Sequence, residues 1–144
     1  MSVLTLEDAR IIANATLEKG RDTGCLPLAI SVLDAGGHPK VVLREDGAGI
    51  LRTQIAEGKA YGALGLGANS RVFAERLGNE PDTAPTLFSA FATLAQGRVV
   101  AVPGGVLIKN SDGGILGAVG VSGDLSDKDE ACALAGVQAG GFTT

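Results

Sequence analysis

Apolar positions along the chain fall into two spacings, and the switch between them marks out the elements. Ala9, Ile12, Ala13, Thr16, Leu17 and Gly20 recur at helical intervals, which predicts a helix over 6–21. Thr5 precedes it as an N-cap, with Asp8 as its capping-box partner. The run 28–33 is short and mostly apolar, consistent with a buried strand. Asp34-Ala35-Gly36-Gly37 then turns the chain, and 39–44, with Val41, Val42 and Leu43, reads as the antiparallel partner. From Ile50 the helical spacing returns. Leu51, Ile55, Lys59 and Gly62 form one stripe with Ala56, Ala60 and Ala63 beside it, until Gly65, Gly67 and Asn69 break the pattern. A short helix over 70–77, a polar loop over 78–85 and a further helical turn or two over 86–95 follow. β character resumes at 99–102, closed by Pro103-Gly104-Gly105, and continues in 106–109 and 115–121 around the turn Asn110-Ser111-Asp112-Gly113-Gly114. Ser126, with Asp129 three residues on, reads as the cap of a last helix ending near 137–139.

The predicted class is α/β of the α+β kind: helices flanking a sheet of five antiparallel strands. Hairpins at both ends favour this over a doubly wound parallel sheet. The near-continuous run Ile115-Leu116-Gly117-Ala118-Val119-Gly120-Val121 predicts a strand covered on both faces.

Composition narrows the function. A chain of 144 residues fits one domain, so 1–144 is read as a single unit. With 45% hydrophobic and 19% charged residues it is too apolar to be disordered. A net charge of −4 argues against a nucleic-acid or anionic-membrane partner, and no Trp, one Tyr and four Phe leave no base-stacking platform. The start MSVLTLEDAR lacks the basic and apolar regions of an export signal, and no run of apolar residues is long enough to span a bilayer, so a cytoplasmic setting is expected. The two cysteines, Cys25 and Cys132, form neither a disulfide framework nor a zinc site by themselves. Glycine is the outlier. At 22 residues it makes up about 15% of the chain, against roughly 7% in ordinary domains. The paired glycines lie between apolar runs, which points to tight turns and close backbone approaches.

Few residues carry chemistry. His38, the only histidine, follows the Gly36-Gly37 turn; it is a surface turn residue, a haem iron ligand or a general base. Arg44 and Asp46 sit where the second strand leaves the sheet. There Arg44 either clamps a carboxylate or pairs with Asp46. Lys59 lies on an alanine-rich helical face. It either snorkels to water or is desolvated, with a lowered pKa suited to acid–base or imine chemistry. Gly104, Gly105 and Ser122 flank turns whose backbone N–H groups can meet an anion, and hairpin ends explain them equally well. Asp124, Asp127, Asp129 and Glu130 form an acidic cluster suited to helix capping, with cation binding as the other reading. Gly65-Leu66-Gly67-Ala68-Asn69-Ser70 is an incomplete dinucleotide fingerprint that follows a helix, not a strand, and is set aside.

The segments Val32-Leu33-Asp34-Ala35-Gly36-Gly37-His38, Arg44-Glu45-Asp46-Gly47-Ala48, Ile55-Ala56 with Lys59-Ala60, Pro103-Gly104-Gly105-Val106 and Gly117 to Gly123 together resemble the GlcG/HbpS "haem-degrading" family, which includes the C-terminal domain of PduO. The resemblance spans nearly the whole chain. It implies a profilin-like domain with a five-stranded sheet, homo-oligomers, and binding of haem or a corrinoid. Under that resemblance His38 is the available iron ligand, and Phe88, Phe91 and Tyr61 are the aromatic side chains available to flank a porphyrin. Three functional readings follow. The first is an accessory protein holding haem, a corrinoid or a small organic acid near Arg44, Asp46, Gly104, Gly105 and Ser122. The second is a cofactor-independent enzyme using Lys59 or His38 on a carbonyl or carboxylate metabolite. The third is a structural oligomerisation module.

Overall fold

The Thr5 hydroxyl accepts the Asp8 amide and the Asp8 carboxylate accepts the Thr5 amide, both at 3.0 Å, so the expected capping box opens the first helix. That helix, α1 (Leu6–Asp22), turns Ala9, Ile12, Ala13, Thr16 and Gly20 inward. The computed structural model describes residues 3–144. Met1 and Ser2, part of the stretch read for an export signal, lie outside the described residues. After α1 come β1 (Ala29–Asp34), β2 (Pro39–Arg44), α2 (Arg52–Leu66), α3 (Ser70–Asn79), α4 (Ala84–Leu94), β3 (Gly105–Lys109), β4 (Ile115–Ser122) and α5 (Ser126–Ala139).

The strands form one antiparallel sheet in the order β2-β1-β4-β3. Two hairpins, β1-β2 and β3-β4, are joined through the α2–α4 crossover, which lays β4 against β1. Successive side chains point to opposite faces. Ile30, Val32, Val106, Ile108, Val119 and Val121 pack under α1 and α5, whereas Leu33, Leu107 and Ala118 pack under α2 with Ala60 and Ala63.

The sheet has four strands where five were expected. The apolar run 99–102 lies across α2 instead. The Val100 amide donates to the Gly58 carbonyl oxygen at 3.1 Å. Val99 sits against Gly62 and Val100 against Gly58, in a notch that lacks Cβ atoms. The outer edge of β3 has no donors left for a fifth strand. Its Gly105 amide donates to Ser70 Oγ at 2.8 Å, its Leu107 amide to Asn69 Oδ1 at 2.8 Å, and its Lys109 amide to the Thr143 carbonyl at 2.8 Å. An apolar β-branched run therefore reads as a strand whether it pairs or merely packs.

Two further readings change. The helix expected as a turn or two over 86–95 is longer, because Pro85 near its start suits a helix N-terminus and lets it begin at Ala84. Ser126 is the first residue of α5 rather than its cap. Leu125 holds the cap position without a side-chain bond, and Asp129 is drawn into the interior by another partner.

Candidate functional site

α2 lies almost directly on the sheet backbone. Gly105 and Gly120 are partners across β3 and β4, and a Cβ on either would overlap a helix carbonyl, that of Lys59 at Gly105 and that of Ala56 at Gly120. The missing side chains bring Lys59 down to the sheet with only 2% of its surface exposed, so it does not snorkel. Its Nζ donates to the Val121 carbonyl oxygen at 2.8 Å and to Asp129 Oδ2 at 3.1 Å. Asp129 Oδ1 in turn accepts the Asp124 amide at 3.0 Å. Burial holds the Lys59 ammonium below the ordinary lysine range; Asp129 opposes this through its charge and hydrogen bond, and Arg52 adds to it. Gly104, at φ +128°, passes beside the ammonium, and Ser122 Oγ accepts from Arg52 Nη1 at 3.2 Å. The fold thus gathers Lys59, Gly104, Gly105 and Ser122. The space the glycines leave is filled by α2.

The remaining acids are also matched by partners within the chain. Asp124 accepts the Leu26 amide at 2.9 Å and the Leu125 amide at 2.7 Å, and these bonds hold its carboxyl below the usual carboxylate value. Arg71 of α3 meets both Glu130 oxygens at 3.0 Å and also reaches Asp127. Among the described residues no group of three or more acidic, His or Cys side chains is placed to hold a metal ion.

Arg44 does not pair with Asp46. Its Nη1 donates to the Ala48 carbonyl at 2.9 Å, because the turn at Gly47 (φ +88°) carries that oxygen back toward it. Arg44 and Asp46 are both exposed on this loop. The loop residue that reaches the body of the domain is Glu45, which accepts the Leu28 amide at 2.8 Å and pairs with Arg21 at 2.9 Å. Nothing local in the sequence ties Glu45 to positions so far away along the chain.

The opposite end of the sheet is differently built. Asp34 Oδ1 accepts the amides of Gly36 and His38, each at 3.0 Å, and Gly37 turns at φ +81°. This fixes the β1-β2 turn and leaves the His38 imidazole exposed, lying over Gly36; a Cβ there would come within 3.1 Å of the ring. His38 stands at the rim of a groove of about 370 Å³ with Val3, Leu4, Ile115 and Leu116 as apolar walls and Lys40 as its cation. Behind the turn, Arg98 stacks 3.8 Å over the Tyr61 ring, donates to the Gly37 carbonyl at 3.1 Å and pairs with Glu57 at 2.8 Å. A smaller hollow at Gly36 and Gly37 shares Tyr61 and Gly65 with a second apolar cavity of about 270 Å³ beside Phe91, Leu94 and Val99. Of the aromatic residues, Tyr61 and Phe91 share that cavity, while Phe88 packs against Phe73 at 6.4 Å between centroids.

Residues 4–138 match the family model described as "Haem degrading protein HbpS-like". The chain belongs to that family. This HbpS-like chain is 31% identical over 130 residues to an uncharacterized 15.0 kDa protein in the dhaT-dhaS intergenic region of Citrobacter freundii, covering 90% of this chain and 86% of that protein. Its fold superposes on the crystal structure of HbpS with a TM-score of 0.79 at 30% identity, over 96% of this chain and 90% of that one. PduOC, crystallised as a haem complex, shares the fold at a TM-score of 0.86 and 24% identity, over 99% of both chains. No described helix of the HbpS-like domain is long and apolar enough to cross a membrane.

Proposed function

We propose that this protein is a haem-binding accessory protein that seats the porphyrin along the groove at the β1-β2 turn, with His38 as the iron ligand. The observation that carries the reading is the position of the chain's single imidazole, exposed on a rigid turn at the rim of an apolar groove. The residues there suit a haem. Val3 and Ile115 offer exposed apolar surface to the macrocycle, His38 offers an imidazole nitrogen to iron, and Lys40 offers a cation to a propionate. Bound haem would supply an iron centre that takes an axial ligand and exchanges electrons. The family description names haem, and PduOC, which shares the fold, forms a haem complex.

Acid–base catalysis by Lys59 is less well supported. Its ammonium is enclosed and paired with Asp129. It also stands near Val121, whose partner in β1 is Ile30, while His38 follows the far end of that strand at Asp34. At about 3.3 Å per residue Ile30 and Asp34 are on the order of 13 Å apart along the strand, which puts Lys59 and His38 at different ends of the sheet.

Titration of the protein with haemin tests the reading. A saturable Soret shift is expected, weakened at least about tenfold by His38→Ala and less by Lys40→Ala. No shift, or a shift that His38→Ala leaves unchanged, removes the assignment.

A further inference from the structure

Two thiols that the His38 groove does not use face each other on the α1/α5 side of the sheet. Cys25 lies in the connection from α1 to β1, and Cys132 on the second turn of α5. Their Sγ atoms are 3.9 Å apart, and both are free and buried. We propose that Cys25 and Cys132 are a redox-responsive pair that closes into an intramolecular disulfide when the protein meets a peroxide, fastening α5 to the α1-β1 connection.

The surroundings hold the two sulfurs in register. Arg21 Nη2 donates to the Cys25 carbonyl at 3.2 Å, and the Leu26 amide donates to Asp124 just before α5 at 2.9 Å. These bonds anchor the connection against the start of the helix that carries Cys132. A disulfide needs the sulfurs at about 2.05 Å, so they must close by roughly 2 Å. Side-chain rotation supplies part of this. The remainder is a small shift of the Cys25 backbone on closure.

The roles of the two sulfurs differ. Cys25 keeps 6% of its surface and Cys132 only 1%. Burial, the Cys25 thiol and Asp129 push the Cys132 thiol up to about 12, with Lys19 acting the other way. The inner sulfur is therefore protonated at neutral pH, and the outer one opens the reaction. The Cys25 sulfur attacks one peroxide oxygen; an S–O bond forms, the O–O bond breaks, sulfur is oxidised and the departing hydroxide takes up the thiol proton as water. The Cys132 sulfur then attacks the Cys25 sulfenic acid; the S–S bond forms, the S–O bond breaks, and a second water leaves with the Cys132 proton. The bond encloses a long stretch of chain, since the two residues are 107 apart. Such a closure restricts the unfolded state strongly.

The test uses the reduced full chain exposed to hydrogen peroxide and then alkylated under denaturing conditions. The expected product is about 2 Da lighter than the reduced chain and takes up no alkyl group, and digestion yields a joined Cys25–Cys132 peptide. Its Tm is expected to rise by roughly 5–10 °C and to return on treatment with dithiothreitol. Cys132→Ala should give only oxygen adducts on Cys25, and Cys25→Ser should leave Cys132 unmodified while folded. Oxygen adducts without a joined peptide in the unmutated protein, crosslinks only between molecules, or oxidation only after unfolding would each overturn the proposal.

Discussion

At the residue scale the buried pair of Lys59 and Asp129 has the sharpest consequence. With side chains 2% and 1% exposed, neither charge has water to fall back on. Lys59→Met strands the Asp129 carboxylate in the interior and is expected to cost about 3–5 kcal/mol, whereas pairing it with Asp129→Leu should recover much of the loss. Urea unfolding of the three proteins measures this, and additive losses in the double variant would show that the pair is not coupled. Asp124 gives the pH dependence. Its carboxyl is held below 3.8 by the Leu26 and Leu125 amides, so the folded state binds that proton less readily than the unfolded chain does. The resulting stability is fully present above 3.8 and is lost as pH falls through the lowered value. Asp124→Asn should therefore be less stable than the parent at neutral pH, with the gap closing in acid; a gap independent of pH contradicts this. The burial of Lys59 was open to sequence reasoning, since small residues surround it. Its partner was not, because Asp129 lies 70 residues away and also fits the local pattern of a helix cap.

At the element scale, α2 depends on bare backbone beneath it. A Cβ at Gly120 would overlap the Ala56 carbonyl oxygen, and backbone cannot rotate aside as a side chain can. Gly120→Ala is expected to cost roughly 3 kcal/mol or more through overpacking, while Gly65→Ala in the same region meets nothing within 4 Å and should add up to about 1 kcal/mol through helix propensity. Thermal or urea unfolding of both variants checks the contrast, and equal effects would contradict it. Glycine clustering did announce close backbone approaches, but not what approaches. At Gly104 and Gly105 the guest is the protein's own helix. The turn at Asn110, where Oδ1 accepts the amides of Asp112 and Gly114, was fully legible because every group involved is local. The run 99–102 was not, because its place is decided by the Gly58 and Gly62 notch and by the side chains of Asn69 and Ser70 on the β3 edge.

At the scale of the whole molecule, the length of the sheet separates Lys59 from His38, the two residues offered from the sequence as alternative acid–base groups. Lys59, Gly104, Gly105 and Ser122 gather where β4 ends, and His38 stands beyond the other end of β1. The antiparallel hairpins and the family were legible, the first from turn chemistry and the second from motifs spread along the chain. The groove at His38 was not, since it is assembled from the N-terminal segment, the β1-β2 turn and the start of β4. Haem bound there would touch all three. The most direct measurement is a crystal structure of the haemin-loaded protein, with anomalous scattering recorded at the iron absorption edge. The iron peak is expected within bonding distance of the His38 imidazole, with the macrocycle against Val3 and Ile115. A peak in the Tyr61–Phe91 cavity, or beside Lys59, with His38 left free would contradict that placement.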